Sequence, residues 1–141
     1  MDARDLLAAS REVLRATEHA LGLDAGDLLR AHASVAVLLS PECLAAVFDR
    51  RGALLHSFRG ATFPGALGSV AASFVTAGVA ALDQPTRDLL AHALDRQLCD
   101  LSLLIDPRAA TIRCLLTARR DPERHVELFA VDTPMQPEMV H

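Results

Sequence analysis

Residues 45–60, AAVFDRRGALLHSFRG, are the stretch on which the fold turns. One apolar run enters Asp49-Arg50-Arg51-Gly52, and a second leaves it and ends at Gly60. Two local structures fit. Ser40-Pro41-Glu42, just upstream, is a helix-start signal: a capping side chain, then proline at the first helical position. On that reading 41–51 is a helix and Gly52 is the residue past its end. On the other reading 43–49 is a strand, Asp49–Gly52 is a type I turn in which Gly52 supplies the positive φ of a bulge, and 53–58 returns antiparallel. The hairpin is favoured. A helix here would have no distinct apolar stripe, and ALLHSFRG is short and alternates loosely, with Leu55 and Ser57 opposite Leu54, His56 and Phe58.

The flanks extend this pattern. Upstream, Asp2 can cap a helix, Asp5 suits its positive N-terminal end, and Leu6, Leu7, Val13, Leu14 and Leu21 share one stripe before Gly22 ends it. DAGDLLRAHA (24–33) reads as a further short helical piece, and SVAVLLSPECLAAVFD (34–49) is ambiguous. Downstream, a helix is expected over 64–82, starting near Thr62, with Leu67, Val70, Ala71, Phe74, Gly78, Ala81 and Leu82 on its apolar face. Its other face, Ala66, Ser69, Ser73, Thr76 and Ala80, is all small. Gly65, Gly68 and Gly78 each cost such a helix about 1 kcal/mol relative to Ala, which implies close packing against it. That packing is either with its own sheet or with a second helix.

Beyond Pro85, PTRDLLAHALDRQL (85–98) is helical again, with Leu90, Leu94 and Leu98 in line. The period then changes. DLSLLID (100–106), ATIRCLLTA (110–118) and HVELFAVD (125–132) are short, rich in β-formers, and separated by the turn sequences DPRAA and RRDPER. The expected fold is α+β: an antiparallel sheet of about five strands, a hairpin plus a three-strand meander, covered by helices. Residues 1–132 make one domain with an N-terminal helical extension, and 133–141 (TPMQPEMVH), patternless and with two prolines, are expected to be a disordered tail.

Composition narrows the function classes. At 141 residues the chain is one domain, and 51% hydrophobic residues are ample for its core. The formal charge of −4 argues against nucleic acid as a partner, and the absence of Trp and Tyr with only five Phe argues against stacking platforms for bases or sugars. No run approaches the roughly 20 apolar residues of a membrane span, and the acidic N-terminus is not a signal peptide. Cys43, Cys99 and Cys114 have no metal-ligand spacing. An odd number of widely spaced cysteines in apolar surroundings suggests buried, reduced thiols in the cytoplasm. No phosphate-binding loop, dinucleotide fingerprint, HExxH or nucleophile elbow is present, and the six His residues are scattered. The sequence therefore offers no catalytic, cofactor or metal residues, and a non-enzymatic role is expected. Arg119, Arg120 and Arg124 have Asp121 and Glu123 as neighbours and read as a balanced turn.

CLAAVFDRRGALLHSFRG (43–60) followed by PGALGSVAASFVTAGVAAL (64–82) resembles the core of the Roadblock/LC7 family: an apolar run, Asp-x-x-Gly, a second apolar run, an alanine-rich helix, and then a three-strand meander. The resemblance spans about 43–131. Profilin-like and GAF/PAS-like folds share parts of the same order. The resemblance implies a non-enzymatic homodimer paired through the second helix and a sheet edge, without a cofactor; bacterial members often bind or regulate a small Ras-like GTPase. Its interface would be Ala66, Ser69, Ser73, Thr76 and Ala80. The alternative is a GAF/PAS-like small-molecule sensor with a pocket between sheet and helix, which calls for a cavity of about 300 Å³ or more.

Overall fold

A computed structural model describes residues 3–39, 44–59, 67–121 and 123–133. The deciding stretch is a hairpin. Strands β2 (Leu44–Phe48) and β3 (Leu54–Arg59) pair antiparallel, with a register shift at Val47/Phe48 that gives β3 one extra residue. The turn closes through Gly52 N–H to Asp49 O (3.0 Å) and Asp49 N–H to Ala53 O (2.9 Å). The Asp49 carboxylate also accepts from the N–H groups of Arg51 (2.8 Å) and Ala53 (2.9 Å). Gly52 has φ +87°, the left-handed conformation a side chain would resist. Because 44–48 is a strand, the helical reading of 41–51 fails. The start signal itself, Ser40 to Glu42, lies outside the described residues.

Among the described residues the sheet has six strands, not about five, in the order β3-β2-β1-β4-β5-β6, with every neighbouring pair antiparallel. The additional strand is β1 (Ser34–Leu38), inside the ambiguous stretch. It is the central joint of the sheet. One edge of β1 pairs with β2, and the other pairs with β4 (Cys99–Asp106), the first strand of the meander completed by β5 (Thr111–Ala118) and β6 (His125–Asp132). The meander is as the sequence suggested. Asp106 closes its first turn, accepting from the N–H groups of Arg108 (3.1 Å) and Ala109 (3.0 Å). Thr133, at the start of the expected tail, donates its N–H to Ala110 O (2.9 Å), and 134–141 lie outside the described residues.

The pairing register sorts side chains to two faces. Val37 lies opposite Ala45 on one side and Leu103 on the other, Leu103 lies opposite Cys114, and Cys114 opposite Phe129. This row faces the helices, and Val37, Ala45, Leu103 and Cys114 are each 0% exposed. Helix α1 (Ala3–Leu21) packs onto it with Leu6, Leu7, Val13 and Leu14, so it is an integral part of the core. Leu21, expected on the same stripe, is instead 42% exposed, since the helix ends beside it. Leu23 N–H bonds Glu18 O (2.8 Å) and Gly22 N–H bonds His19 O (3.3 Å), with Gly22 at φ +71°, a Schellman ending.

The buried charge of α1 is fully engaged. Glu18 is 3% exposed, and its carboxylate accepts from Gly26 N–H (3.1 Å) and Leu28 N–H (2.8 Å). It thereby satisfies the N-terminus of the short α2 (Asp27–Arg30). Helix α3 (Leu67–Ala80) lies beside α1 and buries Leu67, Val70, Ala71, Phe74 and Val75. Ala81 is exposed and Leu82 only half-buried, because the helix stops two residues short of the expected end. Helix α4 (Gln84–Asp95) follows at once. The Asp83 side chain caps it through Thr86 N–H (2.9 Å), Pro85 sits in its first turn, and Leu90 is buried. Leu98 lies past its end and is 57% exposed.

Candidate functional site

Helix α3 explains one of its glycines. A Cβ on Gly78 would lie 2.3 Å from the Phe129 ring of β6, so glycine lets the helix sit directly on the sheet. Phe74 flanks the same ring at 6.0 Å between centroids. The close packing inferred from sequence is therefore, at Gly78, packing on the protein's own sheet.

The opposite face of α3 turns away from the sheet. Ser69, Ser73, Thr76 and Ala80 are exposed, and Ala72 and Ala77 join them. Ala66, placed on the same face by sequence, lies outside the described residues. The Thr76 hydroxyl donates to Ala72 O (2.9 Å), which satisfies it within the helix and turns the face less polar than its composition suggests. From Leu67 to Ala80 no residue carries a charge. Exposed helix faces are ordinarily charged; an apolar or neutral one is ordinarily covered.

The hairpin tip, Asp49-Arg50-Arg51-Gly52, forms as expected. The Asp49 carboxyl is held below its usual range, chiefly by the Ala53 N–H; desolvation opposes this, and the Arg51 N–H and guanidinium add to the lowering. Arg50 and Arg51 are both exposed at the tip.

On the sheet face away from the helices, Ser34 lies opposite Phe48, and Leu104 lies between Ala36 and Arg113. The core contains neither Leu104 nor Phe48 among its packed residues. A groove of about 440 Å³ opens here, floored by Phe48 and Leu104 and walled by Arg50 of the turn and Arg113 of β5. Sequence reasoning missed it because its lining is drawn from separate elements, the β2–β3 turn, β4, β5 and, through Ser34, β1.

Cys99 and Cys114 are free and buried, as expected; Cys43 lies outside the described residues. Burial pushes the Cys114 thiol up to about 12. Burial also raises Cys99, with Asp100 adding to the rise and Arg119 opposing it. Among the described residues no group of His, Cys, Asp or Glu could hold a metal ion, and no helix is long and apolar enough to cross a membrane.

No family model, curated protein or solved structure matches the chain.

Proposed function

We propose that the protein is a non-enzymatic interaction module that pairs with a second copy of itself through α3. The uncharged, exposed face Ser69-Ala72-Ser73-Thr76-Ala77-Ala80 carries this reading. Small side chains let two helix backbones approach closely, and a two-fold axis makes one patch serve both subunits. Covering such a face costs little desolvation, since it holds no charge and the Thr76 hydroxyl is already bonded. A stable pairing needs on the order of 2,000 Å² in total, so an edge of the sheet would extend the helix contact. The buried, reduced thiols fit a cytoplasmic setting. A small Ras-like GTPase is the partner to test on the strength of the Roadblock/LC7 resemblance, by co-purification with GDP- and GTP-loaded candidates.

Ser73→Arg tests the pairing. It sets a long cation at the proposed axis while leaving the core untouched. The expected result is a folded monomer, or loss of folding if the subunit is unstable alone. A folded variant with wild-type mass would remove α3 from the interface.

The groove favours a second reading, small-molecule sensing. Its volume of about 440 Å³ falls within the usual range for ligand sites, roughly 300–1,000 Å³. It lies on the sheet face away from the helices, whereas a sensor read from sequence has its pocket between sheet and helix.

A further inference from the structure

The turn after β5 and the loop after α4 come together at one end of the sheet. Arg119 N–H donates to Leu98 O (3.1 Å), which pins strand to loop. Their side chains line a second, open cavity of about 440 Å³ formed by Arg96, Gln97, Leu98, Ala118, Arg119 and Arg120. By sequence, Arg119 and Arg120 looked balanced by Asp121 and Glu123. In the fold neither acid lines the cavity, and Arg96, distant in sequence, joins as a third guanidinium.

The Asp100 carboxylate beside this turn is already committed. Asp100 Oδ1 takes Arg119 Nε and Nη2, both at 2.8 Å, with the two side chains about two-thirds covered. That pair fixes the Arg119 plane. No described acid bonds Arg96 or Arg120, and both are exposed. Gln97, at φ +55°, adds an amide to the same wall. Leu98 and Ala118 supply an apolar side.

We propose that this cavity binds a small molecule carrying a multiply charged phosphate group. Guanidinium forks match phosphate oxygens in pairs. Arg96 and Arg120, with no carboxylate bonded to either among the described residues, call for charge spread over two phosphoryl groups, which favours a diphosphate over a single compact dianion such as sulfate. The cavity volume is that of a small-molecule site, and with no aromatic ring in the wall, recognition falls on the phosphate end of the ligand. The site is separate from the α3 face, so the two readings stand or fall independently.

Titration of the whole chain with inorganic pyrophosphate, with sulfate as comparison at matched ionic strength, tests this by calorimetry and by amide NMR shifts. Pyrophosphate should bind at least about tenfold more tightly than sulfate, with shifts centred on Leu98 and Arg119. The Arg96→Ala, Arg120→Ala pair should weaken it about tenfold or more without changing the melting temperature. Arg120→Gln alone, which leaves the end of α4 intact, should weaken it less. Equal, weak binding of both anions, or unchanged binding in the double variant, would overturn the proposal. A nucleoside diphosphate that binds no better than pyrophosphate would place recognition in the phosphates alone, as proposed; binding that requires the nucleoside would contradict it.

Discussion

Helices α1 and α3 lie side by side on one face of the same sheet, yet their outward faces differ completely. The exposed side of α1 carries Arg4, Asp5, Glu12, Arg15 and His19, the ordinary solvated face of an amphipathic helix. The exposed side of α3 carries Ser69, Ala72, Ser73, Thr76, Ala77 and Ala80. Their inward faces are alike, each burying leucine, valine or phenylalanine against the sheet. Packing within the subunit accounts for the shared inner pattern. Burial against the sheet does not account for the outer difference, because both outer faces are exposed. The difference points to what lies outside α3.

The largest effect should come from the inner face of α1. Leu6 is 0% exposed, and Leu6→Ala should cost about 2–5 kcal/mol in chemical denaturation, from lost transfer energy and the cavity left behind. A loss below about 1 kcal/mol would show that α1 is peripheral to the core. Next in size is Gly78→Ala on the inner face of α3. Helix propensity favours alanine by about 1 kcal/mol. The new methyl, however, would sit 2.3 Å from the Phe129 ring, and such overpacking typically costs about 1–3 kcal/mol. A net destabilisation is expected, relieved in the Gly78→Ala, Phe129→Leu pair. Stabilisation by Gly78→Ala alone would mean that α3 does not rest on β6.

Cys114 reports on the floor beneath both helices. Its thiol is raised to about 12 from an ordinary 9.0, so the folded chain retains this proton where the unfolded chain loses it. Stability linked to this group is therefore intact below pH 9 and falls as pH rises from 9 towards 12. Thiol labelling at neutral pH should accordingly be slow in the native protein and fast on unfolding. Rapid native labelling of Cys114 would contradict a closed floor. The smallest effect should come from the outer face of α1. Glu12→Ala should change stability by no more than about 0.5 kcal/mol and leave the mass in solution unaltered, in contrast to Ser73→Arg on α3.

The sequence made most of this fold legible where local chemistry and tertiary demand agree. Asp49 and Gly52 determine their turn almost alone, one through its carboxylate and the other through its positive φ. The meander announces itself because its strands alternate and its turns carry Asp. β1 was illegible for the opposite reason. It is five residues at the centre of the sheet, paired on both edges, and its run SVAVL passes without turn chemistry into LLSPE, whose Ser-Pro-Glu signals a helix. The α3 face was legible as a run of small residues, but sequence could not say whether the run lay inside or outside. The structure divides the helix: Gly78 is inside, under Phe129, and Ser73 is outside. The two cavities were not legible, since each joins residues from elements distant in the chain.

Whether α3 meets a second α3 is answered most directly by sedimentation equilibrium of the wild-type chain at tens of micromolar. Pairing through α3 requires a mass twice that of the 15.1 kDa chain, falling to the single-chain mass in Ser73→Arg. A wild-type mass of 15.1 kDa at that concentration would contradict it.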